Sequence, residues 1–139
     1  MMKTIIITGA GSGMGEATAK LLAENAEYSL ILIGRSQSRL NNVLECLPNR
    51  ENHASLGVDI CNSNALRLGL AELLKDKSLE CVFANAGIGG ENSYGDDDRW
   101  HEIIQTNLTG TYNTIMESLP YLRKSNERFK HIVITSSCL

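Results

Sequence analysis

Ile5-Ile6-Ile7-Thr8-Gly9-Ala10-Gly11-Ser12-Gly13-Met14-Gly15 decides the fold of this chain. An apolar run leads into alternate glycines, and a helical pattern leads out of them. That order reads as a strand, a glycine turn and a helix N-terminus. Such a junction aims free backbone N–H groups and the positive end of a helix dipole at one point, where an anion belongs. Gly9 lets the chain turn sharply, Gly13 lets a phosphate approach the backbone, and Gly15 lets the helix pack tightly on the sheet. The spacing is T-G-x-x-x-G-x-G. It is not G-x-G-x-x-G, because Met14 and Glu16 stand where that pattern needs glycine. A ligand-free tight turn is the plain alternative to a dinucleotide pyrophosphate site.

Strand and helix patterns alternate on both sides of this turn. Lys3–Thr8 reads as a parallel strand buried on both faces, and Met14, Ala17, Leu21 and Leu22 form the stripe of the helix after it. Ser29–Ile33 is a second strand, followed by a helix that Ser36 can cap and Pro48 closes, with Leu40, Val43, Leu44 and Leu47 inward. Ala54–Val58 is a third strand. Asn62 caps the next helix, whose stripe is Leu66, Leu70, Leu73 and Leu74. Glu80–Ala84 is a fourth strand, and a glycine-rich loop runs from it to Asp97. Asp98 opens a long helix with Trp100, Ile103, Ile104, Leu108, Ile115 and Leu119 as its stripe; Pro120 should kink or end it. Lys130–Thr135 is a fifth strand. The alternation predicts an α/β, Rossmann-like, doubly wound parallel sheet in three α/β/α layers, as one domain over residues 1–139.

Composition agrees with one globular domain. The chain has 139 residues, of which 42% are hydrophobic and 21% charged, so it can bury a real core. A net charge of −3 gives no reason to expect nucleic acid or an anionic membrane as partner. No apolar run is long enough to span a membrane, and Met1-Met2-Lys3 leads straight into a strand, so no signal peptide is expected. Cys46, Cys61, Cys81 and Cys138 are scattered, and so are His53, His101 and His131. The expectation is no metal site, reduced thiols and a cytoplasmic location.

Every polar cluster falls at the carboxyl end of a strand, where sheets of this kind bind ligands. Arg35 and Ser36 follow the second strand. An acid there would bind the ribose 2′-hydroxyl of NAD, but Gly34 fills that slot, and the Arg35 guanidinium suits a 2′-phosphate. NADP is therefore expected over NAD, with a solvated loop arginine as the alternative. Asp59 after the third strand could accept from an adenine amino group, or serve as a turn residue or helix cap. Asn85-Ala86-Gly87 puts small residues where a flat cofactor would lie, or forms a turn that steadies its own strand end. Asn107 lies mid-helix, where asparagine is disfavoured; it could bond a neighbouring strand or hold a water in a proton relay. Ser137, at the end of the fifth strand, could orient a substrate carbonyl.

Taken in order, these residues resemble the short-chain dehydrogenase/reductase family. The Thr8–Gly15 turn, Asp59, Asn85-Ala86-Gly87, Asn107 and Ser136-Ser137 all match, with Ala84 standing where many members have a second asparagine. The resemblance implies a Rossmann sheet, NAD or NADP at its carboxyl edge and reversible carbonyl–alcohol hydride transfer on a small carbonyl or alcohol substrate. It implies a cofactor set of Gly9, Ser12, Gly13, Met14, Gly15, Arg35, Ser36, Asp59, Ile60, Asn85, Ala86 and Gly87. Ser137 resembles the catalytic serine and Asn107 the relay asparagine.

The family's Tyr-x-x-x-Lys pair does not occur in residues 1–139: none of Tyr28, Tyr94, Tyr112 or Tyr121 has lysine four residues later. In the family that tyrosine is the proton donor, and it needs help to act far below its usual pKa of ~10. The expectation is the N-terminal portion of an NADP-dependent reductase, with the C-terminal units missing and no turnover by this portion alone. With the fifth strand left as an apolar edge, a marginally stable chain that self-associates is expected as well, and a homo-oligomer is expected through the 98–120 helix. The alternatives are a non-catalytic dinucleotide-binding or sensing module, and another Rossmann-type binder such as one for S-adenosylmethionine.

Overall fold

A computed structural model describes residues 1–89 and 99–137. Its five strands are β1 (Lys3–Thr8), β2 (Tyr28–Gly34), β3 (Ala54–Gly57), β4 (Ser78–Ala84) and β5 (His131–Ile134). They form one sheet in the order β3-β2-β1-β4-β5, and every pairing is parallel. Chain order reverses between β1 and β4, so the switch point lies at the carboxyl ends of those two strands. The sequence expectation of a doubly wound parallel sheet holds.

Helices cover both faces. On one side α1 (Gly13–Ala23) and α2 (Gln37–Glu45) close a core of Ile5, Ile7, Leu30, Leu32, Leu40 and Leu44. On the other, α3 (Ser63–Leu73) and α5 (Thr111–Lys124) close a core of Ile6, Ile31, Ile33, Leu66, Leu70 and Leu122. The isoleucines of β1 therefore alternate between two cores, which is why that strand shows no polar alternation.

Two helix faces differ from the sequence expectation. In α1 the buried residues are Gly15, Ala19 and Ala23, whereas Met14 and Leu21 are 66% and 69% exposed. The helix starts so close to the glycine turn that only small residues fit against the sheet. The long helical run comprises α4 (Trp100–Ile104), a π-helical segment Gln105–Gly110, and α5. Its buried residues are Gly110, Thr114, Ser118 and Leu122, while Trp100 and Leu108 are 56% and 65% exposed. The π segment inserts backbone and shifts the phase of the stripe, which a 3.6-residue period does not anticipate. Pro120 does not end the helix, which continues to Lys124. The expected start at Asp98 lies outside the described residues. No described helix is long and apolar enough to cross a membrane.

Candidate functional site

The carboxyl ends of β1 and β4 are tied together by Thr8. Its Oγ1 accepts from the backbone N–H of Asn85 (3.0 Å) and Ala86 (2.9 Å). Asn85 extends the tie: Nδ2 donates to the Thr8 carbonyl (3.3 Å), and Oδ1 accepts from the Thr135 hydroxyl (2.9 Å). The side chain thus links the ends of β1, β4 and β5, more than steadying its own strand.

Above this tie the glycine turn is shaped by backbone. Gly9 and Gly13 have φ of 65° and 55°. A Cβ on Gly15 would strike the Gly9 carbonyl, whereas one on Gly13 would meet nothing within 4 Å. One glycine serves packing and the other faces open space. Ser12, the N-cap of α1, makes no side-chain cap, while Ser36 and Asn62 cap α2 and α3 by accepting from Arg39 N and Ala65 N. The first-turn N–H groups of α1 are left for an outside acceptor.

A cleft of about 370 Å³ opens at this point. Of the expected cofactor residues, it is lined by Gly9, Ser12, Arg35, Ser36, Asp59, Ile60, Ala86 and Gly87. Gly13, Met14, Gly15 and Asn85 are not among the lining residues; the first three make the first turn of α1, and Asn85 is the strand tie. Sequence reasoning missed Arg39 and Thr106, which also line it, as does Ile88 in the loop after β4. Arg39 lies in the first turn of α2, whereas Arg35 precedes the Ser36 cap; its Cβ lies 3.2 Å from where a Gly11 Cβ would be. Neither guanidinium has an ion-pair or hydrogen-bond partner among the described residues.

Asp59 forms an Asx turn, its Oδ1 accepting from Cys61 N (2.9 Å), while Asn62 is the cap of α3. This settles the turn-or-cap alternative structurally and leaves the carboxylate on the cleft wall. Burial, and after it the neighbouring Asp59 carboxylate, raises the pKa of the Cys61 thiol beside the cleft. Asn107 sits in the π segment. Its Oδ1 accepts from Ile88 N and its Nδ2 donates to Ile88 O, both at 2.8 Å. Of its two sequence readings, the structural bond is present, made to the loop after β4. Ser137 is exposed beyond the end of β5 and does not line the cleft. The glycine-rich loop expected to run to Asp97 lies mostly outside the described residues. Among the described residues no cluster of side chains could hold a metal.

Residues 3–139 match the family model for short chain dehydrogenase. The chain belongs to the short-chain dehydrogenase family. An uncharacterized oxidoreductase of Listeria innocua is 32% identical over 139 residues, covering 97% of this chain and 55% of the relative. The alcohol dehydrogenase of Thermococcus sibiricus, solved with 5-hydroxy-NADP, superposes with a TM-score of 0.84 at 28% identity, covering 99% of this chain and 59% of that one. A short-chain dehydrogenase/reductase of Burkholderia phymatum, solved with NAD, gives 0.85 at 26%, covering 98% and 49%. The chain spans about half the length of the curated relatives it matches. Members of this family are oxidoreductases that use NAD or NADP.

Proposed function

We propose that the complete protein is an NADP(H)-dependent oxidoreductase reducing a small carbonyl compound or oxidising the alcohol, and that residues 1–139 are its dinucleotide-binding part. The observation that carries this is the uncapped start of α1, opening onto a cleft lined by the Arg35 and Arg39 guanidiniums, which have no ion-pair partner among the described residues. The residues fit the cofactor. Open backbone at Gly13 and the N–H groups of Gly13, Met14 and Gly15 receive the pyrophosphate. Arg35 and Ser36, joined by Arg39, receive the 2′-phosphate. Asp59 and Ile60 wall the adenine, and Ala86 and Gly87 give the nicotinamide half a flat backbone surface. When bound, the cofactor supplies the hydride.

Asn107 holds the Ile88 wall at the reacting end, and Ser137 orients the substrate carbonyl. The proton-transfer tyrosine and lysine belong to residues outside 1–139. In this reading the protein is cytoplasmic, consistent with the free thiols of Cys46, Cys61 and Cys81. It pairs with a second copy through the long helix, whose Trp100, Leu108, Tyr112 and Met116 are exposed. The test is NADPH consumption by the complete protein against a panel of small aldehydes and ketones, with its gene read past codon 139. Turnover, together with a Tyr-x-x-x-Lys in the frame, is the expected result. Saturable binding with no turnover, in a frame lacking that pair, would favour the non-catalytic module.

A further inference from the structure

We infer that Asn113 is a positioning residue for the adenine end of the cleft. The inference rests on the dinucleotide reading and adds a part to its machinery. Asp59-Ile60-Cys61 is a turn after β3, two of whose residues wall the cleft. It is held from across the sheet face by the long helix. Asn113, near the start of α5, donates Nδ2 to the carbonyls of Ile60 (2.9 Å) and Cys61 (3.4 Å). Its NH2 group has two hydrogens, so one side chain serves both carbonyls. The Cys61 thiol donates to the Gln105 carbonyl in the π segment (3.3 Å). Ile60 itself lies against Gly110, where an added Cβ would come within 2.6 Å of Ile60 Cδ1.

Three points on one helical run therefore fix this turn, and Asn107 on the same run fixes Ile88 at the other end of the cleft. A single rod sets both ends of the site. Removing the Asn113 amide leaves two carbonyls of a part-buried turn without their donor. The turn then relaxes, Ile60 shifts, and the adenine loses a fixed wall. None of this touches the reacting end directly.

The test uses 2′,5′-ADP as probe, because it carries the adenine and 2′-phosphate without the nicotinamide. Asn113→Ala should fold, since alanine is a better helix former at that position. Its affinity for 2′,5′-ADP should fall about three- to tenfold, the range for one lost neutral hydrogen bond. Gly110→Ala, which displaces Ile60, should weaken the probe in the same direction. Arg67→Gln is the structural control: it breaks the Arg67–Glu117 pair between α3 and α5 (2.9 Å) without touching the turn. It should lower the melting midpoint and leave the affinity unchanged. Unchanged affinity in Asn113→Ala, or an equal loss in Arg67→Gln, would overturn the inference alone. A wild-type protein that binds neither 2′,5′-ADP nor NADPH would overturn the dinucleotide reading and this inference with it.

Discussion

Gly13 and Gly15 stand two residues apart and do different physical work. Gly13 faces open space at φ of 55°, so an added Cβ meets no protein atom and only the left-handed backbone resists it. Gly13→Ala should lose about 1–2 kcal/mol and remain folded, yet bind dinucleotide poorly because the methyl occupies the phosphate's approach. Gly15→Ala drives a Cβ into the Gly9 carbonyl, which is backbone and cannot rotate away. It should lose more, about 3 kcal/mol, with binding falling because the turn is displaced. Urea denaturation and nucleotide titration of both variants check this; equal stability losses in the two would contradict it. The T-G-x-x-x-G-x-G spacing made these roles legible, because each follows from the backbone. Arg39 was not legible, since in sequence it is one more polar residue on an amphipathic helix. Only its place over Gly11, in the first turn of α2, brings it to the cleft.

Elements were read well where hydrophobic period and caps agree, and poorly where backbone geometry breaks the period. Ser36 and Asn62 cap α2 and α3 as their sequence positions imply. The π segment at Gln105–Gly110 left no mark in the apolar pattern, so the stripe drawn through Trp100 and Leu108 faces outward. At the β2–β3 edge a side chain completes the ladder. His53 Nδ1 accepts from Leu30 N (3.1 Å), so its Nε2–H donates to the Pro48 carbonyl (3.0 Å). This ring must be neutral, and burial holds its pKa below the usual 6.5. Above pH 6.5 both folded and unfolded states carry a neutral ring and the bond is intact. As pH falls below that value the unfolded chain binds a proton that the folded ring refuses, so stability drops until the folded ring titrates. Between pH 7 and 5 the wild type should therefore lose more stability than His53→Gln. Parallel pH profiles would show that the ring does not brace this edge.

At the scale of the molecule, the doubly wound parallel sheet followed from alternation, and its ligand-facing edge from polar residues gathered at strand ends, whereas the order β3-β2-β1-β4-β5 had no mark in the sequence. What joins the two ends of the cleft had none either, because it depends on contacts such as Asn107 with Ile88 across 19 residues and Asn113 with Ile60 across 53. The exposed Leu108 and Met116 on the long helix bear on assembly. Light scattering should find a dimer that Leu108→Glu converts to monomer; a wild-type monomer at micromolar concentration would contradict the proposed pairing. In the proposed function the carboxyl edge of the sheet is an NADP site whose preference comes from Arg35. The most direct measurement is calorimetric titration of NADPH and NADH into the wild type and Arg35→Ala. The wild type should bind NADPH more tightly than NADH, and the variant should lose about tenfold or more for NADPH, the worth of a charge-assisted phosphate contact, with little change for NADH. Equal affinities for the two dinucleotides in the wild type, unchanged by Arg35→Ala, would contradict it.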